Sequence, residues 1–257
     1  MIIDAHAHIG TAGIGVQSIF FEEAIRLADK TGIDKLFCTH VTSTSYDFEE
    51  GDPLIYQAMK KYPNRILSYV SVNSPRHGKR LLEHFKKHIF DYGFHGLKIL
   101  SFYKSVFLDQ ADPWMQITDP YAYPLFEMAS EWKVPVLAHA TPEECDEVCT
   151  RFPDLRIMMA YMGATQSANG DWYKGIIIAK KHSNLYLDTT SSSIDLEMVE
   201  EAVKAIGPKR IVWGSDLPLL DQWYEIEKIR CAEIDTETKK LILGEDINRL
   251  VSEIKYK

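Results

Sequence analysis

Eight short apolar segments, separated by amphipathic ones, constrain the fold of this 257-residue chain more than any other feature of its sequence. Each apolar segment has the length of a strand, and each is rich in branched or aromatic residues or bounded by Gly, Pro, Asn or Asp. The intervening segments carry apolar residues three and four positions apart, which is typical of helices that cover a sheet. The predicted strands cover residues 1–8, 35–41, 66–72, 95–100, 134–140, 156–163, 184–190 and 210–216.

Strands that are apolar throughout are typical of a parallel sheet covered on both faces. Eight strand–helix units in about 250 residues match an α/β fold of the (β/α)8 barrel type, with residues 236–254 as the eighth helical region. A doubly wound open sheet is the alternative, but eight regular units favour closure. We therefore predict one distorted barrel domain over residues 1–257, with a longer loop after strand 4.

Composition argues against several classes of function. The formal net charge of -8 argues against a nucleic-acid-binding surface, which would be basic. No apolar run approaches the ~18 residues that span a bilayer, and the first residues lack the basic region and cleavage site of a secretory signal. The four cysteines form no CxxC pair and indicate reduced thiols. We expect a cytoplasmic protein that acts on a small molecule, without a nucleic-acid or membrane partner.

Polar residues gather late in the predicted strands, at the end where barrel enzymes carry their chemistry. His6 and His8 stand one residue apart in strand 1, so with Asp4 they should share its inward face. Two imidazoles there can bind one divalent ion, and Asp4 can fix the tautomer of one ring. For this pair alone, two hydrogen-bonded core histidines are an equal alternative. The other polar residues at strand ends are His40, Lys98, His139, Tyr161, Asp188 and Asp216.

These motifs resemble the amidohydrolase superfamily, specifically its amidohydrolase-related branch of metal-dependent hydrolases and non-oxidative decarboxylases. "IDAHAHIG" at 3–10 is similar to the HxH signature of strand 1, "PVLAHA" at 135–140 to the strand 5 segment, and "WGSDLP" at 213–218 to the strand 8 signature. The resemblance implies a TIM barrel in which one metal ion is bound by His6, His8, His139 and Asp216. Three imidazoles and a carboxylate suit Zn²⁺, and they also accept Mn²⁺, Fe²⁺, Co²⁺ or Ni²⁺.

Strand 6 departs from the pattern of this branch. The branch usually has a histidine where "MAYMG" at 159–163 has Tyr161. A tyrosine, with a pKa near ~10, donates a hydrogen bond but is a poor base at neutral pH. Tyr161 is therefore predicted either to hold a developing oxyanion or to fill space in a disabled site.

Lys98 stands where binuclear members of the superfamily have a carbamylated lysine that bridges two metals. The second metal would also need the strand 6 histidine, so a single metal is favoured. We predict that Lys98 is an ordinary cation that faces a carboxylate of the substrate or of the protein.

The candidates for the substrate pocket lie at or after the ends of predicted strands. They are His40, Arg76, Phe102, Tyr103, Trp114 and Trp172. Three of them lie in the interval after strand 4, and long loops at this face of a barrel are often lids. These aromatic residues could instead form a subunit contact, so a homodimer is an open alternative.

His84 and His88 lie four residues apart in a predicted helix, with Lys86 and Lys87 between them. They lack the adjacent glutamate of an HExxH zinc site. We predict that they belong to a solvated helix face.

Together these residues predict a metal-dependent hydrolase of a small organic amide, ester or lactone. The metal would polarise the carbonyl and supply hydroxide, Asp216 would take the proton, and Tyr161 would hold the oxyanion. One alternative is a non-oxidative decarboxylase of an aromatic or unsaturated acid, with Lys98 or Arg76 near the substrate carboxylate. The other is a metal-binding protein with weak or no catalysis, because Tyr161 replaces the expected histidine.

Overall fold

The fold is that of a computed structural model, which describes residues 1–10, 18–45, 47–72, 78–100, 116–163, 171–191 and 197–256. Its strands form one parallel sheet in the order in which they occur in the chain. All eight predicted strands are present. The third has the predicted bounds, the first begins two residues and ends one residue later than predicted, and the other six are shorter than predicted. They are β1 Ile3–Ile9, β2 Lys35–His40, β3 Ile66–Val72, β4 Gly96–Leu100, β5 Val136–His139, β6 Ile157–Met159, β7 Leu185–Asp188 and β8 Ile211–Val212.

The segment that contains and follows β8 closes the sheet onto β1. The Ala5 N–H donates to the carbonyl of Trp213 at 2.9 Å, and the His8 N–H donates to that of Leu217 at 2.6 Å. A parallel bridge joins Ala7 to Leu217. The predicted (β/α)8 barrel is thereby confirmed.

Helices alternate with the strands, as predicted. The predicted eighth helical region is the pair α10 and α11, which are joined by the π-helical turn Leu241–Glu245. β4 ends at Leu100 and α5 begins at Tyr123. The longer loop predicted between them lies mostly outside the described residues. Among the described residues the α-helices are α1 Phe21–Thr31, α2 Val41–Ser45, α3 Phe48–Lys61, α4 Lys79–Phe90, α5 Tyr123–Trp132, α6 Pro142–Arg151, α7 Trp172–Lys181, α8 Met198–Ile206, α9 Gln222–Cys231, α10 Thr236–Lys240 and α11 Asp246–Ser252.

Helix α9 was not predicted, because its charged and apolar residues do not separate clearly into two faces. A capping residue starts it: the Asp221 carboxylate accepts from the N–H groups of Trp223 and Tyr224. Within the described part of the chain, no helix combines the length and apolarity that a membrane crossing requires.

The side chains pack in two layers. Phe37 and Tyr69 stack in the barrel interior with ring centroids 3.6 Å apart, and the Tyr69 hydroxyl donates to the Ala5 carbonyl at 2.7 Å. Most strands contribute to this inner layer, whereas their alternate side chains pack against the helices. The buried strand residues of the inner layer are Ile3, Ala5, Phe37, Leu67, Tyr69, Leu137, Met158, Tyr186 and Val212.

A β-bulge in the middle of β1 changes the face to which its side chains point. Ile3 and Ala5 belong to the inner layer, so Asp4 between them points outward. After the bulge His6 and His8 point inward, where they meet side chains from across the barrel. The prediction that Asp4 shares a face with the two histidines is wrong, because strict alternation is lost at the bulge.

The histidines of α4 are not on a solvated face, and that prediction is also wrong. His88 is only 4% exposed, and the Nε2 atom of His84 lies 2.8 Å from a carboxylate oxygen of Asp52 on α3. Residues four apart share one helix face, whereas Lys86 and Lys87 lie on the exposed side. Exposure of the two lysines therefore does not predict exposure of the two histidines.

Glu225 of α9 carries a buried carboxyl group that packs against the segment following β7. One of its oxygens lies 2.8 Å from Lys228 Nζ and accepts from the Ser191 N–H at 3.3 Å. The other oxygen has no hydrogen-bond partner among the described residues. Burial raises the pKa of Glu225 to about 8, although Lys228 partly opposes the shift.

We predict that Glu225→Gln becomes stabilising relative to the wild type as the pH rises. The folded-state pKa lies above the ordinary 4.5, so the folded protein holds this proton from about pH 4.5 to about 8, and the free energy of unfolding falls across that window. The variant has no such decrease. Its free energy of unfolding relative to that of the wild type should therefore increase by up to about 1.4 kcal/mol per pH unit.

Urea unfolding at pH 5, 6.5 and 8.5 measures the effect. Glu237→Gln on α10 is the matched control, because Glu237 is 75% exposed. A difference between Glu225→Gln and wild type that stays constant over these pH values would contradict the prediction.

Candidate metal centre

The tautomer of His6 is fixed by a carboxylate from a strand that is distant in the sequence. Its Nδ1 lies 2.7 Å from Asp188 Oδ2 at the end of β7, and both residues are buried. The Nδ1–H group donates a hydrogen bond to this carboxylate, so Nε2 carries a lone pair that faces the barrel interior. Burial alone would raise the pKa of Asp188, but the charge and hydrogen bond of His6 and the hydrogen bonds of Thr190 lower it.

His8 is held from both sides of its ring. Its Nδ1 lies 2.7 Å from the hydroxyl oxygen of Thr39 in β2, and its Nε2 lies 3.2 Å from Asp216 Oδ1. Burial lowers the pKa of His8 to about 4 despite the opposing effect of Asp216. The ring is therefore neutral at physiological pH, which is the form that binds metals.

Asp216 is the carboxylate of the group. Burial would raise its pKa, but hydrogen bonds from His8 and Tyr161 and the charges of the nearby histidines lower the pKa to about 2. Its Oδ1 faces both imidazoles, whereas its Oδ2 accepts from the Tyr161 hydroxyl at 2.8 Å. Asp216 is thus ionised, and its two oxygens are committed to different partners.

The Gly-Ser-Asp sequence that ends in Asp216 has a local structural reason at each position. A Cβ at Gly214 would lie 2.5 Å from His6 Cβ, so only glycine permits this approach of β8 to β1. Ser215 donates to the Asp4 carboxylate through its N–H at 2.9 Å and its hydroxyl at 2.5 Å. Asp216 itself has a φ of 54°, which turns its side chain toward the imidazoles.

Asp4 therefore acts on the site from outside the barrel. Its carboxylate also accepts from Gln222 Nε2 at 3.0 Å and from the His6 N–H at 3.2 Å. The prediction that Asp4 fixes a histidine ring is wrong: Asp188 does so for His6, while Asp4 ties β1 to the loop that carries Asp216.

His6, His8 and Asp216 fit a divalent ion. One donor atom of each lies within 4.8 Å of the others, and Asp216 Oδ1 is 3.7 Å from His6 Nε2 and 3.2 Å from His8 Nε2. Ligands at about 2.0–2.2 Å from a tetrahedral ion stand roughly 3.3–3.6 Å apart. Two imidazoles and one carboxylate form a donor set that suits Zn²⁺ and related metals.

His139 is not among these three residues, although it ends β5 in the same interior and is 3% exposed. Its ring packs edge-on against Tyr161, with centroids 4.9 Å apart. Tyr161 in turn contacts the ring of His6 at 5.2 Å. Tyr161 therefore contacts both His139, the fourth predicted ligand, and His6.

Tyr161 has an unusual backbone conformation. It follows β6 with a φ of 54°, and Met162 after it has a φ of 52°. Left-handed backbone at a bulky residue costs roughly 1–3 kcal/mol and is concentrated at functional sites. The turn points the side chain inward, where the hydroxyl gives its one proton to Asp216. In this geometry Tyr161 positions Asp216, and its predicted role at an oxyanion stays a prediction.

Lys98 reaches the centre from β4 and is 1% exposed. Its Nζ lies 2.9 Å from His6 Nε2, so the ammonium donates to the lone pair that faces the interior. Burial lowers the pKa of Lys98 to about 8, against the opposing charges of Asp216 and Asp188. A cation at His6 would displace this hydrogen bond.

The predicted pocket residues are less well placed. His40 packs beside Phe21 and Gly10 on the helix-facing side, and its Nδ1 accepts from the Thr42 N–H at 3.1 Å. Trp172 begins α7, where its ring contacts Tyr173 edge-on at 5.9 Å. The substrate roles of both residues stay predictions. Four further candidates lie outside the described residues: Arg76, Phe102, Tyr103 and Trp114.

Sequence reasoning gave no role to two residues that hold the histidines, Asp188 and Thr39. Asp188 was visible as a polar residue at a strand end, and the ends of parallel strands meet at one rim of a barrel. Thr39 carried no signal, because a threonine late in a strand is ordinary.

A family model described as amidohydrolase matches residues 3–250 of the chain. The chain therefore belongs to the amidohydrolase family, as its motifs predicted. A search of curated protein sequences found no match.

Solved structures with the same fold cover nearly the whole chain. The 5-carboxyvanillate decarboxylase of Sphingomonas paucimobilis is 14% identical over 98% of both chains, with a TM-score of 0.76. A dihydroxybenzoic acid decarboxylase from Polaromonas with bound manganese is 14% identical over 98% of this chain and 96% of that one, with a TM-score of 0.72. A probable 2-pyrone-4,6-dicarboxylic acid hydrolase from Acinetobacter baumannii is 13% identical over 98% and 99%, with a TM-score of 0.68. At these identities the likeness establishes the fold alone.

We predict that Asp188→Asn weakens metal binding about 10- to 100-fold, because the neutral amide accepts from the His6 Nδ1–H more weakly than a carboxylate and does not balance the charge of the ion. Titration of the metal-free protein with Zn²⁺ against a chromophoric chelator measures the affinity.

Asp146→Asn is the matched control. Asp146 pairs with His182 in the same way, with 2.5 Å between Oδ1 and Nε2, but on the outer helices. An affinity of Asp188→Asn within about twofold of the wild type would contradict the assigned role, since supporting residues of this kind typically contribute at least tenfold.

Proposed function

We propose that the protein is a metal-dependent hydrolase of a small organic amide, ester or lactone, in which residues 1–257 form one catalytic domain. The observation that carries this proposal is the position of Asp216. Its ionised carboxylate lies between the imidazoles of His6 and His8 on one side and the Tyr161 hydroxyl on the other. Such a set combines cation ligands with a proton acceptor at one point of a buried interior.

In this proposal His6, His8 and Asp216 hold one divalent ion, Zn²⁺ or a related metal, with His139 as a further ligand from β5. A bound ion of this kind supplies Lewis acidity, which polarises a carbonyl and makes water more acidic. The bound manganese of the Polaromonas neighbour is a reason to include Mn²⁺ in the tests.

The residues of the chain supply the rest of the chemistry. Asp216 accepts the proton of the attacking water, and Tyr161 holds Asp216 Oδ2 so that Oδ1 stays directed at the imidazoles. Asp188 keeps the Nε2 lone pair of His6 available. The Lys98 ammonium, released from His6 when a cation binds, provides a positive charge for a carboxylate on the substrate.

The same ammonium favours one second candidate, non-oxidative decarboxylation of an aromatic or unsaturated acid. Lys98 is a buried cation in the centre, and decarboxylation needs a positive group for the substrate carboxylate and a proton donor for the carbon that loses it. Two of the structural neighbours named above are decarboxylases of aromatic acids.

A substrate panel with metal-loaded protein separates these functions. Esters, lactones, amides and aromatic acids are incubated with Zn²⁺- or Mn²⁺-loaded enzyme in ¹⁸O-labelled water. Hydrolysis predicts one labelled oxygen in the acid product and no CO₂. Release of CO₂ with no labelled oxygen in the organic product would replace the proposal by the decarboxylase. Inactivity on the whole panel with the metal fully bound would replace it by a binding protein without turnover.

We predict that Tyr161→Phe lowers kcat about tenfold or more while KM changes less than about twofold, because a hydrogen bond to a charged acceptor is lost but the substrate contacts are not. Steady-state kinetics on the substrate that the panel identifies measure both constants.

Tyr256→Phe is the control for loss of a tyrosine hydroxyl. Tyr256 donates to the Phe94 carbonyl at 3.4 Å, at the opposite end of the barrel. Equal kcat values for Tyr161→Phe and wild type would show that Tyr161 does not position Asp216.

A further inference from the structure

Asp52, His84 and His88 form a second group of metal-binding side chains, which we call the helix cluster. Asp52 lies on α3, and both histidines lie on α4, outside the barrel interior. One donor atom of each residue lies within 4.8 Å of the other two. Asp52 is fully buried, His88 is 4% exposed, and the side chain of His84 is 9% exposed.

The hydrogen bonds of His88 fix its tautomer. Its Nδ1 lies 2.8 Å from the carbonyl oxygen of His84, and a carbonyl only accepts, so Nδ1 carries the proton. Nε2 is therefore a bare lone pair when the ring is neutral. Burial, with His84 alongside, lowers the pKa of His88 to about 4 and keeps the ring neutral at physiological pH.

Two acceptor atoms of the helix cluster lack a partner within the described residues. They are His88 Nε2 and Asp52 Oδ1, and both are shielded from solvent. Acceptors cannot satisfy each other, and leaving such groups unpaired costs about 1–3 kcal/mol each. A cation between them would satisfy both.

The surroundings resemble those of a bound metal. Asp52 Oδ2 is fixed by the Ser71 N–H at 3.3 Å and lies 2.8 Å from His84 Nε2. Aromatic rings enclose the histidines: Phe48 packs on His84 at 4.6 Å, and the rings of Tyr92 and Phe94 each pack on His88 at 4.9 Å. An apolar shell of this kind limits solvent access to a metal site.

We propose that Asp52, His84 and His88 bind one divalent transition-metal ion, such as Zn²⁺, which fastens α4 to α3. Tetrahedral ligands at about 2.0–2.1 Å from an ion stand roughly 3.3 Å apart, so shifts of about 1.5 Å or less complete the set. His84 coordinates through Nε2 after its proton moves to Nδ1 or to solvent. This site shares no residue with the centre inside the barrel, and the proposal does not depend on it.

Titration of metal-free protein with Co²⁺ tests the proposal, with bound equivalents counted by elemental analysis and followed by the visible absorption of tetrahedral cobalt. We expect two ions in the wild type and one in His88→Gln. His8→Gln, which leaves the helix cluster untouched, should also retain one ion. His182→Gln is the control, because the His182 ring pairs with Asp146 on the outer helices, away from both sites, and its loss should leave the count at two.

Loss of all cobalt binding in folded His8→Gln, or equal counts in His88→Gln and wild type, would overturn the proposal. Circular dichroism in the presence of chelator establishes folding. If His88→Gln does not fold, Asp52→Asn and the His8→Gln count decide the question. Failure of the barrel centre alone gives a different pattern: one ion in the wild type, kept in His8→Gln and lost in His88→Gln.

Discussion

The closure of the barrel between β1 and the segment after β8 is the constraint on which the proposed centre depends. It brings His6 and His8 against Asp216, about 210 positions later in the chain, through hydrogen bonds from the N–H groups of Ser215 and Asp216 to the His6 carbonyl. Asp4 reinforces this seam from outside by holding Ser215 and Gln222. Without it the two imidazoles and the carboxylate would have no common geometry, since no helix or hairpin connects them.

The polarity of the interior follows from the same closure. Buried charges are costly unless they are paired or hydrogen-bonded, and each buried charge named here has such a partner. Asp188 pairs with His6, Asp216 receives hydrogen bonds from His8 and Tyr161, and Lys98 donates to His6. Left-handed backbone at Tyr161 and at Asp216 adds strain that the surrounding barrel must offset. This cost at one rim is consistent with selection for chemistry there rather than for stability.

Periodicity predicted the strands and most helices correctly, because apolar runs of strand length report burial on both faces. It could not detect the bulge in β1, because apolar and polar residues alternate without interruption from Ile3 to His8 although the side chains change face at the bulge. The outward position of Asp4 was therefore missed.

The helix cluster was missed for a related reason. Exposed lysines at positions 86 and 87 do not predict whether the opposite face of α4 is buried. Asp52, which contacts this face, lies about 30 residues earlier in the chain. Within the barrel, motifs found the histidines and Asp216. The pairing of His6 with Asp188 depends on which strand ends face each other, and that appears only once the sheet is closed.

The central claim is that His6, His8 and Asp216 hold a divalent ion at this seam. A crystal structure of zinc-loaded protein, measured on both sides of the zinc absorption edge, tests it most directly. The account predicts an anomalous peak about 2.0–2.2 Å from His6 Nε2, His8 Nε2 and a carboxylate oxygen of Asp216, with the Lys98 ammonium moved away from His6. A fully loaded crystal with no anomalous density at these atoms, and Lys98 still bonded to His6, would contradict it.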